Sequence, residues 1–433
     1  MSLTATPSLS YLPAAVPDSA AGPKVLIIHT GGTLGMDAED PPAVAADVSP
    51  ELRAGTNEHY GTLKPGHMLD KLLLVVPELN RLAGRIELRV AFNSDSSNVG
   101  PEQWVQLARL LDRERDTHDA FLVVHGTDTM AYTASAISLM LQGFGKPIVF
   151  TGSQLPLSRS RSDARQNLID ALTCAVEHWT PPGAAKDAGR AAGEGAAEAA
   201  GRAAGEGAAE AAGRAAGGGA AEAAGRAAGR GLEATSSPPR RVAFREVGLC
   251  FGGRLMRGNR ARKVNSWDYQ AFDSPAYPPL CCLGVEPVWN EHALLDLDAH
   301  PVPYTPRFDL DRRVLRIPIV PGTDPEFCYG DLAGRGVKGV VLEGFGVGNM
   351  PDGPTDRWLP WLKAQVEQGL VIGMISQCSL GPLRPELYHA GEAAMQLGVE
   401  AGPQMTPECA CVKLMLALAN EDVHMSKELA GEM

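Results

Sequence analysis

Between residues 24 and 180 the chain repeatedly runs apolar for a short stretch, breaks at glycines and small polar side chains, then resumes with helical spacing. The runs are Lys24–His29 (KVLIIH), Ile86–Phe92 (IELRVAF), Phe121–Val124 (FLVV) and Lys146–Thr151 (KPIVFT). Their length and β-branched content suit strands, the buried ones being of the kind found inside a parallel sheet. Strand, polar turn and helix in this order predict an α/β chain with a doubly wound parallel sheet. Such sheets bind ligands beyond the carboxyl ends of their strands, so the turns decide the function. Three consecutive strand ends carry Asn93–Asn98 (NSDSSN), His125–Thr129 (HGTDT) and Gly152-Ser153-Gln154. One such cluster would be noise, whereas three facing one crevice make a site. Asp128 and Thr129 are also good N-caps for the helix that begins at Met130, so part of the cluster could serve capping alone.

A chain of 433 residues exceeds one ordinary core and calls for two domains. The first spans 24–278, after a leader at 1–23. It is interrupted at 183–239 by twelve-residue units such as GRAAGEGAAEAA, which have no apolar stripe to bury. Three or four glycines in each unit cost about 1 kcal/mol apiece in a helix interior, so this insertion reads as low-complexity chain. Met36 to about Lys64 reads as a long lid or insertion, since such a loop is uncommon in a compact domain. Prolines from Pro275 to Pro306 mark a linker at 279–309. The second domain, 310–433, repeats the alternation. Its strands are expected at Val314–Ile319, Gly339–Glu343 and Val371–Ile375, and its helices near Asp324–Leu332, Asp356–Gln368 and Pro407–Ala419.

A net charge of −12 argues against nucleic-acid partners and against an anionic membrane surface. Apolar runs such as Leu72–Pro77 are far too short to span a bilayer. The eight cysteines show no CxxC pair and no disulfide framework, which fits a reducing compartment. The leader has no basic residue and no apolar core, so no secretory signal is read there and the expected location is cytoplasmic.

On their own terms Thr33, Ser96, Ser97, Thr127, Asp128 and Lys146 supply hydroxyls, one acid and one amine, with no metal set. A threonine becomes a nucleophile only when something takes its proton, and a lysine near an aspartate can do so. His29 and His125 are the rival bases, each just before a strand-end turn. The glycines of Thr30–Gly35 (TGGTLG) do not have GxGxxG spacing, and no P-loop lysine follows. They allow close backbone approach rather than a nucleotide cradle.

These motifs resemble the bacterial-type L-asparaginases, in particular the cytosolic type I branch. The likeness rests on HTGGTLGM at His29–Met36, DSSN at Asp95–Asn98, HGTDTMAYTAS at His125–Ser135 and GKPIVFTGSQLPL at Gly145–Leu157. It extends through RSD at Arg161–Asp163, RLMRGNRARK at Arg254–Lys263, GVGN at Gly346–Asn349 and MTPECACVKL at Met405–Leu414. It implies a two-domain asparaginase-type fold, with a larger N-terminal doubly wound sheet and a smaller C-terminal α/β domain. It also implies hydrolysis of the L-asparagine side-chain amide to L-aspartate and ammonia, without a cofactor, by a homodimer or homotetramer.

By the same resemblance Thr33 is the nucleophile, and Thr127, Asp128 and Lys146 form the proton-handling group. Asp95, Ser96 and Ser97 grip the substrate's α-carboxylate and α-amine, with Asp128 also on the amine. Tyr60 is the candidate for the lid tyrosine that orients the nucleophile. Glu343 stands where members with a regulatory asparagine pocket place a basic residue, and a carboxylate does not hold another carboxylate. The alternatives are a glutaminase-leaning enzyme, a tRNA-amidotransferase-type subunit and a non-catalytic asparagine-binding sensor. Amidotransferase subunits carry an extra folded amino-terminal domain, which a 23-residue leader would not supply.

Overall fold

The computed structural model describes residues 22–32, 72–180 and 242–433. Thr33, Tyr60, the lid, the low-complexity insertion and all but the end of the leader lie outside them. The large sheet is built from β1 (Lys24–His29), β2 (Arg85–Val90), β3 (Ala120–Val124), β4 (Ile148–Thr151), β5 (Val247–Phe251), β6 (Arg254–Arg257), β7 (Cys281–Leu283) and β8 (Pro287–Trp289). Their order across the sheet is β2-β1-β3-β4-β5-β6-β7-β8. The first five strands are parallel, as the alternation predicts, and the order reverses between β1 and β3. The last three are antiparallel. Two of those, β7 and β8, come from the stretch read as a linker, so the first half of the chain extends beyond residue 278. Short strands rich in proline and cysteine lack the apolar run that marks a buried parallel strand, and they suit a sheet edge.

Both faces of the sheet are covered. Helix α1 (Pro101–Glu114) and helix α2 (Met130–Met140) pack on one face, and α3 (Ala164–Val176) packs on the other. Every residue of α2 except Tyr132 is buried. A helix apolar on all sides needs cover on all sides. The large sheet supplies part of it, and α6 (Pro407–Ala417), from the second half of the chain, supplies more.

The smaller sheet is parallel, in the order β9 (Val314–Pro318), β10 (Gly339–Gly344), β11 (Val371–Ser376) and β12 (Glu400–Ala401). Its own core gathers Ile317, Leu342, Met374 and the edge-to-face pair Trp358 and Trp361 on α4 (Trp358–Glu367). Helix α5 (His389–Gln396) and β12 were not foreseen; they are short and weakly patterned. Helix α6 starts as the sequence suggests, with Thr406 Oγ1 accepting from Cys409 N and proline in the first turn. Residues 22–178 and 242–433 belong to one compact unit.

Candidate active site

The carboxyl ends of β1, β3 and β4 converge, and backbone bonds stitch the turns that leave them. Thr30 donates through both N and Oγ1 to Val124 O, Ser94 N donates to Thr30 O, and His125 N donates to Thr151 O. Gly31 and Gly32 have φ of +109° and +93°, a region L side chains rarely enter. Space adds a second constraint: a Cβ on Gly32 would lie 2.5 Å from Gly126 Cα, and one on Gly31 2.1 Å from Ser94 O. The turn after β1 therefore lies flat against the turn after β3, at the point where strand order reverses.

Thr127 and Asp128 follow on that turn. Thr127 is buried, while Asp128 opens to solvent. Lys263 Nζ donates to both, at 2.8 Å to Thr127 Oγ1 and 2.6 Å to Asp128 Oδ1. Thr127 Oγ1 in turn donates to Gln154 Oε1 at 3.4 Å. Gln154 is held by the RSD segment: the Asp163 carboxylate accepts from Gln154 N and Leu155 N, and Asn167 Nδ2 joins Asp163 to Gly152 O. One amine bonded to both a hydroxyl and a carboxylate at a strand-end crevice makes this cluster a candidate for nucleophile activation.

Lys146, which the sequence reading placed in this group, is elsewhere. Its Nζ donates to Arg115 O at 2.5 Å and His118 O at 2.6 Å. It precedes β4, so it sits at the amino edge of the sheet, about 15 Å of strand away from the crevice. Burial lowers its pKa, opposed by Asp119 and Asp116. Lys263 takes the place assigned to it. The signal was present as the last residue of RLMRGNRARK, but that run reads as an arginine-rich turn. Nothing local reveals that it folds back over residues 127 and 128. Gln154 lies in the turn after β4, and nothing local in that turn marks it as a partner of Thr127.

Asp95, Ser96 and Ser97 lie on the neighbouring turn after β2. Asp95 caps a single 3-10 turn, with Oδ1 accepting from Ser97 N at 2.8 Å and Ser97 Oγ at 2.7 Å. These bonds lower its pKa. Ser96 is buried, and its carbonyl accepts from Thr129 Oγ1 at 2.6 Å. Thr129 therefore fastens this turn to the next instead of capping α2 with its side chain, as expected from sequence.

The rival histidines are both buried. His125 is buried with Nδ1 2.7 Å from Gly126 O, and burial lowers its pKa to about 4. Burial also lowers the pKa of His29, opposed by a bond to Asn93. Glu343 is buried and paired with Arg316, with Arg316 Nη2 donating to Glu343 Oε2 at 3.3 Å. Among the described residues no group of three or more His, Cys, Asp or Glu could hold a metal ion, and no helix is long and apolar enough to cross a membrane.

Two family models match the chain: "Asparaginase, N-terminal" over residues 24–185 and 232–294, and "Glutaminase/Asparaginase C-terminal domain" over 313–428. L-asparaginase 1 of Escherichia coli K12 is 28% identical, over 94% of this chain and 97% of that one. Among solved structures, L-asparaginase I of Vibrio cholerae aligns with a TM-score of 0.67 at 28% identity, covering 95% of this chain and 99% of the other. The thermostable L-asparaginase of Thermococcus kodakarensis aligns with a TM-score of 0.67 at 26% identity and the same coverage.

Proposed function

The chain belongs to the asparaginase family, and on that footing we propose that it hydrolyses the side-chain amide of L-asparagine to L-aspartate and ammonia. The observation that carries this reading is the single ammonium of Lys263 bonded to both Thr127 Oγ1 and Asp128 Oδ1. In the proposed reaction a threonine oxygen attacks the amide carbon and its proton passes to the leaving nitrogen, which departs as ammonia. Water then cleaves the resulting ester, giving its hydroxyl to the acyl carbon and a proton back to the threonine.

Lys263 is the proton carrier in this scheme. Its ammonium rests against the Asp128 carboxylate and donates to Thr127 Oγ1. In the proposed relay it supplies a proton to that oxygen as Thr127 passes its own to the leaving nitrogen, and it recovers the proton that the attacking threonine loses. Gln154 orients the Thr127 hydroxyl. Thr33 is the proposed nucleophile. Gly32, the residue before it, lies against Gly126, the residue before Thr127, which supports two threonines serving one substrate. Asp95, Ser96, Ser97 and Asp128 are assigned to the substrate's α-carboxylate and α-amine. Tyr60 keeps its proposed lid role, and backbone N–H groups of the glycine turns are assigned to the oxyanion. Lys146 is given no part in this chemistry.

The test is steady-state ammonia release from L-asparagine and L-glutamine by purified protein, with Thr33→Ala and Thr127→Ala alongside. Each substitution should lower turnover about a thousandfold, roughly 4 kcal/mol of barrier. Near-wild-type turnover by both would overturn the assignment. A homodimer or homotetramer in the cytoplasm is the assembly proposed with this activity, and light scattering checks its size.

A further inference from the structure

We propose that residues Leu429–Met433 act as a clamp that positions Lys263. The inference rests on the reading of Lys263 as the proton carrier. Lys263 lies in a short two-stranded ribbon, in which Arg262 and Lys263 pair with Asp273 and Phe272 and Val264 N donates to Ala271 O. The residues just before it are anchored elsewhere. Arg257, Asn259 and Arg260 are 3%, 0% and 2% exposed, and all three direct side-chain donors to two carbonyls of the 429–433 segment. Arg257 Nη1 and Arg260 Nε both donate to Gly431 O, at 3.1 Å and 2.9 Å. Asn259 Nδ2 donates to Ala430 O at 2.8 Å.

The segment is itself held rigidly. Glu432 and Lys413 are fully buried with Oε1 and Nζ 2.6 Å apart. The Glu432 carboxylate also accepts from Leu429 N at 3.0 Å and Ala430 N at 2.8 Å, and Lys413 Nζ donates to Lys427 O at 2.6 Å. A buried ion pair with its remaining bonds filled contributes fixed geometry more than net stability. Gly431 has φ +75°, and a Cβ there would meet Arg257 Nη1 at 2.5 Å. The chain from Arg260 to Lys263 spans about 10 Å when extended, so a tilt at the anchor is carried to Nζ. Misplacing a catalytic group by about 1 Å can cost a hundredfold in rate.

The experiment compares Gly431→Ala and the milder Asn259→Ala, each alone and combined with Lys263→Arg, by kcat, KM and thermal midpoint. The clamp predicts that kcat falls at least about tenfold in folded protein with KM within about twofold. With Lys263→Arg present the same substitutions should change kcat by less than about twofold, because the group they position is already replaced. Equal losses in both backgrounds, or a lowered midpoint with unchanged kcat, would overturn the clamp and leave the segment a purely structural element. Full turnover by Lys263→Ala would instead strike the assignment of Lys263, and the clamp with it.

Discussion

Two lysines sit at opposite edges of the large sheet, and their partners separate scaffold from chemistry. Lys146, at the amino edge, gives its protons to the carbonyls of Arg115 and His118. Those bonds tie the end of α1 to the start of β4 and offer no group that could exchange a proton. Lys263, at the carboxyl edge, meets a hydroxyl and a carboxylate. The same amine is a fastener at one edge and, under the proposed reaction, a reagent at the other. Parallel strands bring loops from different crossovers together at their carboxyl ends, so that edge collects side chains from distant parts of the sequence.

Variants at the two edges should therefore fail differently. The largest effect is expected for Lys263→Ala: turnover about a thousandfold lower, roughly 4 kcal/mol, with little change in thermal midpoint. A loss below about tenfold would erase the contrast between the edges. His125 shows that proximity to the crevice is not participation. Its pKa is lowered from 6.5 to about 4, so the unfolded chain binds the extra proton first. Stability attributable to it is complete above pH 6.5 and falls as the pH drops toward 4, by roughly 3 kcal/mol. Denaturant midpoints across that window should flatten in His125→Gln; an unchanged slope would show that the histidine is not buried neutral.

Lys146→Met should leave kcat within about twofold but lower stability by about 1 kcal/mol, because two partly buried carbonyls lose their donor. A large loss of turnover would restore Lys146 to the site. Asp95→Ala, which removes the cap of the turn after β2, should cost about 1 kcal/mol of stability. Under the proposed substrate contacts it should also raise KM for L-asparagine, and an unchanged KM would confine Asp95 to the turn.

Much of this was legible before any coordinates, because the informative signals were local. The runs KVLIIH, FLVV and KPIVFT each carry their own strand signature. The glycines of TGGT and HGTDT mark the two turns whose backbones touch. What stayed hidden depends on contacts across long separations. Lys263 lies 136 residues from Thr127, and nothing in RLMRGNRARK states which of its basic residues returns to the crevice. The resemblance assigns the lysine of GKP, Lys146, to the proton-handling group, although its place before β4 puts it at the wrong end of a strand. The antiparallel edge was read as linker because β7 and β8 are short and weakly apolar. Thr129 was read as a cap because capping is the commoner use of a threonine before a helix, whereas its hydroxyl found the Ser96 carbonyl first.

The burial of α2 sets a limit on how this molecule can be divided. The helix that follows the Thr127-Asp128 turn is roofed by α6, so the half with the proposed proton relay is incomplete without the second half of the described chain. A fragment of the large-sheet half made alone would uncover an apolar helix beside its own active-site turn. Such a fragment should bind a hydrophobic dye and aggregate. Adding the missing half in trans, rather than stabilising the fragment by surface charge, is the route by which its activity could be recovered.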